Sequence, residues 1–451
     1  MTLPPKPQHR PGSVSFLRHL AMFRQDILST QPARLYRAKM AEFRLPFLRS
    51  FLINQPDLIR TVLSDRPDDF PKSHRVREGL LPLLGNSVFV TNGDQWKRQR
   101  RMIDPAFEGG RLRDTFPAML AAGQAAVGRL SPGGVTEVEG VLSHAAADVI
   151  FRTLFSIPIE DRIAAAVFEQ FRAHQRTQPI LNLAAMIPWP RWLPRPHRRT
   201  TRATAAAIRD LIGQLTVQRK EAIAAGTAPN DLATQIMTTK DPVTGDQFDS
   251  AEMIDQVAIF FLAGHETSAS ALSWALYLLA THPEVQENVA AEADAALAEP
   301  PVFATLSKLP FTRDVFRETL RLYPSVPMMV RQTTRSEVFR NRQAPRGAQV
   351  IISPWHMGRN ENIWPDPHAF RPDRWQTPEN RAHARDAYLP FSAGPRVCSG
   401  AGFAMAEGVL LLALLTRAFR FSAVPGRIPV PVAHLTVRSK SGIWLDIQPR
   451  S

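Results

Sequence analysis

Residues 391–400 read FSAGPRVCSG and contain Cys398, the only cysteine of the 451-residue chain. A lone cysteine cannot form an internal disulfide, so its thiol is free for other chemistry. A thiolate that binds iron must be shielded from solvent, reached by hydrogen-bond donors and free of steric crowding. The residues around Cys398 meet each of these three requirements.

The neighbours of Cys398 supply shielding, conformational freedom and charge. Phe391 can cover the sulfur, and Gly394 permits a turn that residues with side chains resist. Gly400 lets the backbone and the start of the next helix come close, while Arg396 offers a cation to an anionic cofactor group. The apolar stretch AMAEGVLLLALL that follows predicts a buried helix whose N-terminus points at the thiol and lowers its pKa.

Composition indicates a globular protein, with 44% hydrophobic and 21% charged residues. No stretch approaches the roughly 18 consecutive apolar residues of a membrane span, so we expect no transmembrane anchor. The first residues lack the hydrophobic segment of a signal peptide, and a single cysteine does not require an oxidising compartment. We therefore expect a soluble, cytoplasmic protein, and we expect it to be a monomer.

The formal net charge is +14, and arginine supplies most of the basic excess. Aromatic residues do not alternate with these arginines as a stacking platform for nucleic acid requires, so we expect no nucleic-acid partner. Two interpretations stay open. The arginines either form solvated faces or attract an acidic protein or an anionic cofactor.

Helical patterns dominate the chain, and strand-like runs are short. We predict a mainly α fold with small β-sheets, in which residues 31–451 form one domain after a proline-rich tail over residues 1–30. A loop rich in proline and tryptophan over residues 188–197 either breaks two helices or acts as a lid or membrane-contacting patch.

The longest helical pattern covers residues 249–282. Asp249 and Glu252 predict a capping box at its start, and His282 precedes a proline that ends it. Such a helix is long enough to cross a whole domain. We therefore expect it to form the centre of the fold.

The middle of this helix reads AGHETS, where glycine is a poor helix former. Thr267 can donate a hydrogen bond to the carbonyl of Ala263 and open the helical bonding at this point. With Gly264, these residues form a small apolar face against which a flat group could lie. Close packing on a neighbouring helix, with Glu266 paired to an arginine, is the alternative.

The pattern Phe-x-x-Gly-x-Arg-x-Cys-x-Gly matches, at every fixed position, the haem-binding loop of the cytochrome P450 family, which the chain resembles from about residue 30 to its end. The resemblance implies a single large helical domain around a buried haem b. Residues 389–418 would be the cysteine loop and the helix after it, with Cys398 as the axial iron ligand.

Two further motifs resemble those of the family. AGHET resembles its oxygen-activation motif, which implies that Thr267 hydrogen-bonds the O2 cosubstrate and that Glu266 relays protons from solvent. ETLR and FRPDRW resemble its Glu-x-x-Arg and Pro-x-Arg elements. They imply a buried network of Glu318, Arg321 and Arg374 that holds the cysteine loop.

The stretch QWKRQR resembles the family's propionate-binding helix. The resemblance implies these cofactor contacts: Cys398, Arg396, Arg331, Arg100, Trp96, Phe391, Gly394, Gly400, Ala263 and Gly264. The stretch SPWHMGRN departs from the family pattern, so no role is assigned to His356. Apolar segments predict these substrate-pocket residues: Phe260, Phe261, Val326, Met328, Met329, Val330, Leu84 and Phe89.

The resemblance implies a monooxygenase that inserts one atom of O2 into a hydrophobic small molecule such as a fatty acid, an alkane or a terpenoid. No further cysteines exist to hold an iron–sulfur cluster, so electrons would come from a separate acidic ferredoxin or flavodoxin with its NAD(P)H reductase. The alternatives are a peroxygenase or peroxide isomerase, a haem-thiolate sensor or carrier, and a basic helical protein without haem.

Overall fold

The computed structural model describes residues 3–10, 12, 14–45, 48–177 and 197–450. All but the last residue of the loop predicted over 188–197 therefore lie outside the described residues. The helices in chain order are α1 Phe16–Gln25, α2 Pro56–Arg60, α3 His74–Leu84, α4 Gly93–Ile103, α5 Gly109–Arg129, α6 Val138–Phe155, α7 Arg162–Thr177, α8 Arg199–Ala224, α9 Leu232–Thr238, α10 Ser250–Thr281, α11 Pro283–Ala296, α12 Pro310–Leu322, α13 Pro354–Met357, α14 Pro378–Ala387 and α15 Ala401–Ala418.

The strands are short and form small sheets in the described part of the chain. A four-stranded sheet has the order β1-β2-β7-β4, a three-stranded sheet has the order β3-β11-β8, and β9-β10 and β5-β6 are hairpin pairs. The strands are β1 Met40–Leu45, β2 Leu48–Ile53, β3 Gly134–Glu137, β4 Met329–Gln332, β5 Glu337–Phe339, β6 Arg342–Ala344, β7 Gln349–Ile352, β8 Phe419–Ala423, β9 Pro431–Ala433, β10 Val437–Ser439 and β11 Trp444–Pro449. The predicted mainly α fold with small sheets is confirmed.

Helix α10 crosses the centre of the protein. Its predicted capping box is present: the Asp249 side chain accepts from the Glu252 N–H, and the Glu252 side chain accepts from the Asp249 N–H. The helix ends at Thr281, with His282 as its C-cap. Its 32 residues span about 48 Å, and they pack against α6, α8, α12 and α15.

Helix α15, which follows the cysteine loop, packs against α5, α10, α11 and α12. Of the described helices, it alone is long and apolar enough to cross a membrane, and most of it is buried inside the protein. The buried core helix of a soluble protein can be equally apolar, so this helix by itself is only weak evidence for a membrane span.

The described part of residues 1–30 packs on the rest of the chain. The Ile27 N–H donates to the Ala433 carbonyl at 3.0 Å, and the Ala433 N–H donates to Asp26 Oδ1 at 2.6 Å. Nearer the start, Tyr323 Oη donates to the Pro5 carbonyl at 2.8 Å. These bonds attach the proline-rich segment to the C-terminal hairpin and to the end of α12.

Candidate active site

A cavity of about 2660 Å³ separates the cysteine loop from the middle of α10. Cys398 of the loop and Ala263, Glu266 and Thr267 of the helix all border it. Sites for single drug-sized ligands are usually about 300–1,000 Å³. The cavity can therefore contain both a large flat cofactor and a substrate.

Backbone hydrogen bonds fix the cysteine loop. The Cys398 N–H donates to the Phe391 carbonyl at 2.9 Å, and the Val397 N–H donates to the Gly394 carbonyl at 3.0 Å. The Ala401 N–H then donates to the Cys398 carbonyl at 3.3 Å as α15 begins. The loop thus presents Cys398 to the cavity by bonds that do not involve its side chain.

The two glycines of the loop have different roles. Gly394 has a φ of 68°, and a Cβ there would lie 2.0 Å from the Leu63 carbonyl oxygen, so a side chain does not fit. Gly400 has a negative φ, and a Cβ there would meet only Cys398 Sγ, at 4.0 Å. The predicted close approach at Gly400 is therefore not imposed by surrounding protein atoms.

Burial raises the pKa of the Cys398 thiol. A hydrogen bond from the Gly400 N–H and the charge of Arg100 act in the opposite direction without outweighing burial. The Cys398 side chain is nevertheless exposed where it borders the cavity. The expectation that the helix N-terminus lowers the pKa of an iron-bound thiol therefore stays a prediction.

Thr267 bonds back to its own helix at the part of α10 that borders the cavity. Thr267 Oγ1 donates to the Ala263 carbonyl at 2.5 Å, as the sequence predicts. The Thr267 carbonyl in turn accepts a hydrogen bond from Ser325 Oγ at 2.8 Å. Ala263 and Thr267 therefore form a small part of the cavity wall where a flat group can approach the helix.

Gly264 borders the same cavity, but the neighbouring helix α6 leaves no space for a side chain there. A Cβ at this position would lie 2.3 Å from Cδ1 of Ile150, on α6. The missing side chain allows α6 and α10 to pack closely. Helix packing, the alternative kept open from the sequence, therefore accounts for this glycine.

The Glu266 carboxylate is held by the β9–β10 hairpin. Its Oε1 accepts a hydrogen bond from Thr436 Oγ1 at 2.7 Å and forms an ion pair with Arg438. Glu266 is buried, whereas the Arg438 side chain is 42% exposed. The sequence predicted an arginine partner as the alternative for Glu266, but no local motif identified Arg438 or Thr436.

Four cations surround one edge of the cavity near Trp96. The side-chain cations of Arg396, Lys72 and Arg100 lie 4.7, 5.5 and 5.9 Å from the Trp96 ring centre. Arg331, on β4, forms an isolated backbone bridge with Lys72. The structure thus brings together all four predicted propionate contacts and adds Lys72, which no motif indicated.

The cations at this edge repel one another. Burial lowers the pKa of Lys72, and so do the charges of Arg331, Arg396 and Arg100. Burial, with a contribution from Arg396, lowers the pKa of Arg331 to about 10. Lys72 Nζ donates to the Val88 carbonyl, but Arg331 Nε has no hydrogen-bond partner among the described residues.

Acidic groups neutralise this cluster only in part. Arg100 Nε donates to Asp104 at 2.8 Å, while Asp68 lies 3.7 Å from Arg396 and is 69% exposed. Buried charges require partners of opposite sign. The remaining positive charge fits a cofactor that has carboxylates on this edge and iron at Cys398, as haem does.

Glu318, Arg321 and Arg374 form the predicted buried network. Arg321 donates to both Glu318 oxygens at 2.7 and 2.8 Å, and Arg374 Nε donates to Oε1 at 3.0 Å. Burial acts to raise the pKa of Glu318, but the charges and hydrogen bonds of the two arginines lower it below its ordinary value.

The network fixes the segment that precedes the cysteine loop. Arg321 and Arg374 donate to five carbonyls, and both guanidinium groups lie within 5.8 Å of the Trp364 ring centre. The five carbonyls belong to Gly358, Pro365, Asp366, Pro367 and Ala369. None of these bonds reaches residues 389–400, so the network supports the cysteine loop only indirectly.

Most predicted substrate-pocket residues border the cavity: Phe260, Val326, Met328, Met329, Val330 and Phe89. Phe261 and Leu84 do not. Phe261 follows Phe260 on the helix and therefore points elsewhere, packing on Phe151 and Phe171 at ring distances of 4.8 and 4.4 Å. Leu84 is fully buried in the core at the end of α3. The prediction is corrected for these two side chains.

Glu318→Gln tests the buried network. We expect the free energy of unfolding to fall by about 3–5 kcal/mol, because two buried arginines lose their counter-charge. Guanidinium denaturation measures this change, with the exposed Glu299→Gln as the control. Equal stability of the two variants would contradict the assignment.

Comparisons with known proteins agree with this site. The family model "Cytochrome P450" matches residues 11–445. A Streptomyces melanosporofaciens protein named cyclooctat-9-en-7-ol 5-monooxygenase is 33% identical over 92% of this chain and 90% of its own length. Human cytochrome P450 4A11 is 30% identical, covering 87% of this chain and 78% of that protein.

The fold has a counterpart among solved structures. The crystal structure of the cytochrome P450DA heme domain superposes with a TM-score of 0.81 at 24% identity, covering 100% of this chain and 98% of that one. The chain therefore belongs to the cytochrome P450 family and is a haem-thiolate monooxygenase.

Proposed function

We propose that the enzyme hydroxylates a hydrophobic organic molecule of the fatty-acid, alkane or terpenoid class within the cavity between Cys398 and Thr267. The observation that carries this proposal is that one cavity is bordered by a thiol, by a partly buried threonine of α10 and by an apolar wall. The net reaction is RH + O2 + 2 e⁻ + 2 H⁺ → ROH + H2O.

Cys398 would hold the iron of haem b, and Arg100, Arg331, Arg396 and Lys72 would bind its propionates. When bound, the haem supplies the oxygen chemistry, which a thiolate ligand favours by donating electron density. The protein residues would position the haem and supply the positive charges that bind its propionates. Bidentate or paired arginines suit carboxylates well because several N–H donors point in fixed directions.

Thr267 would position the O2 cosubstrate through its hydroxyl group. In the chain alone this hydroxyl donates to the Ala263 carbonyl. Rotation of the side chain would turn the hydroxyl toward the cavity while the helix keeps its other bonds. Glu266, as the predicted solvent relay, would have to release Thr436 and Arg438 before it could exchange a proton.

The apolar wall supports the substrate class. Phe89 and Phe260 provide flat apolar surfaces, and Met328 and Met329 can adapt to more than one shape. One relative acts, by its name, on cyclooctat-9-en-7-ol, which supports a terpenoid-like substrate.

A separate acidic ferredoxin or flavodoxin, with its NAD(P)H reductase, would supply the electrons. Arg111 and Arg113 are exposed near the start of α5. Leu112, between them, lies 3.6 Å from the Cβ position of Gly402, just after the cysteine loop. Cations at this place can attract an acidic partner to the side of the protein where Cys398 lies.

Titration of the ferric protein with fatty acids, alkanes and terpenoids should change the haem spin state with at least one class. Cys398→Ala should abolish the thiolate spectrum of the reduced carbon monoxide complex, whereas Ser399→Ala should retain it. A thiolate spectrum in Cys398→Ala would refute the ligand assignment, and no response to any apolar class would refute the substrate proposal.

Lys72→Met should have opposite effects on the empty and the haem-loaded protein. Without haem, it removes one of four repelling charges and should raise the melting temperature. With haem, it should speed transfer to apomyoglobin by about tenfold, since a hydrogen bond to a charged group contributes about 1.5–3 kcal/mol. The exposed Lys39→Met is the matched control. A stability change without faster haem loss would contradict the propionate role.

The double variant Arg111→Gln/Arg113→Gln tests partner docking. We expect it to slow reduction of the haem by a plant-type ferredoxin severalfold at low salt, with little difference at high salt, because ions screen exposed charges. Stopped-flow spectroscopy measures the rate. Arg342→Gln, at the exposed start of β6, is the control. Equal salt dependence in all variants would contradict docking at this face.

A further inference from the structure

A second cleft, of about 760 Å³, is lined by β1, by the segment before it and by the turn between β5 and β6. It shares no lining residue with the cavity that Cys398 borders. Five cations and one acid line it among the described residues. They are Arg34, Lys39, Arg44, Arg340, Arg342 and Glu42.

The acid of this cleft does not neutralise its cations. Arg44 and Arg49 both pair with Glu42, at 2.8 and 2.6 Å. Hydrogen bonds from Arg44 and Arg49 outweigh burial and lower the pKa of Glu42 to about 2. Outside the described residues, the sequence contains no Asp or Glu that could pair with the other cations. Within the described ranges, four lining cations have no ion pair: Arg34, Lys39, Arg340 and Arg342.

One side of the cleft is the open edge of a sheet. β1 is the outer strand, and among the described strands only β2 pairs with it. The Asn54 N–H donates to the Lys39 carbonyl at 2.9 Å, so Lys39 and every second residue after it face β2. Met40, Glu42 and Arg44 therefore turn their backbone N–H and carbonyl groups outward. These groups have no backbone partner in the described part of the chain.

The turn between β5 and β6 contains a strained arginine. Arg340 has a φ of 56°, in the left-handed region that a residue with a long side chain adopts only at a cost. Its Nη1 donates to Gln55 Oε1 at 3.1 Å. Glycine would adopt this conformation without strain. The charge of Arg340 therefore has a use other than stabilising the turn.

The strand edge and the cations together favour one kind of ligand. A strand edge presents backbone donors and acceptors at regular intervals, which an extended peptide can match and a small anion cannot. Cations on both sides of the cleft favour acidic side chains on that peptide. A second copy of this chain is a poor occupant, because its net charge of +14 would be repelled.

We propose that this cleft binds an acidic, extended peptide segment of a partner protein, which adds to β1 as a further strand. The peptide backbone would pair with the outward groups of Met40, Glu42 and Arg44. Its carboxylates would lie near Arg34 and Arg340. The cleft would attach the enzyme to another protein without occupying the cavity, and the proposal does not depend on the reaction or substrate proposed above.

Fluorescence anisotropy tests this proposal on the haem-loaded protein, with a labelled peptide of alternating Asp and Val residues. We expect saturable binding at low salt that weakens as salt rises, because ions screen exposed charges. The same peptide with proline in place of each valine should bind about tenfold more weakly, since proline has no N–H for the strand edge. Absence of binding, or equal binding of the two peptides, would overturn the proposal.

Substitution of two lining arginines tests the position of the site. Arg34→Gln/Arg340→Gly should weaken binding of the Asp-Val peptide about fivefold, because exposed ion pairs are individually weak. Arg313→Gln/Arg385→Gln removes the same charge from exposed positions elsewhere and is the matched control. Arg340→Gly alone should weaken binding without lowering the melting temperature, because glycine relieves the left-handed backbone. Equal affinities in the two double variants would overturn the proposal.

Amide hydrogen exchange locates the bound peptide. Binding should slow exchange at the outward N–H groups of Met40, Glu42 and Arg44, and leave Ala41 and Phe43, which face β2, unchanged. Protection confined to other elements would refute strand addition at β1.

Vesicles that contain phosphatidylserine are the competing probe. We expect the haem-loaded protein to bind the Asp-Val peptide in their presence with unchanged affinity. If vesicles bind through Arg34 and Arg340 and displace the peptide, the cleft is a site for anionic lipid and the peptide proposal is wrong.

Discussion

Moving a charged side chain out of water costs several kcal/mol unless an opposite charge or a change of protonation compensates. Buried charged groups meet that cost differently at three places in this protein. Glu318 is matched by two arginines, and burial raises the pKa of Glu407 to about 8. The cations around Trp96 are only partly matched by acids of the chain, which leaves the cavity suited to an anionic cofactor. The positions of these groups determine what the cavity can bind and where protons are held.

The position of α10 depends on its contact with α6 and on the hydrogen bonds of Thr267. Gly264 allows α6 to approach closely, while Thr267 bonds back to Ala263 and leaves its own carbonyl to Ser325. The helix therefore packs closely on α6 at Gly264 and borders the cavity with Ala263 and Thr267. A substitution that relaxed the contact with Ile150 would move Thr267 relative to Cys398, although Gly264 itself need not touch a substrate or cofactor.

Features that depend on nearby residues were predictable from the sequence. The capping box at Asp249 and the bond from Thr267 to Ala263 follow from spacing along one helix. Lys72 and Arg438 were not predictable, because each reaches its site from an element far away in sequence. The raised pKa of the Cys398 thiol was not predictable for a similar reason, because protein atoms from several elements surround the loop.

The β9–β10 hairpin connects the substrate pocket with an acid on α10. Leu435, at its tip, borders the cavity, while Thr436 and Arg438 hold Glu266. A substrate that displaced Leu435 would therefore also strain the contacts of Glu266.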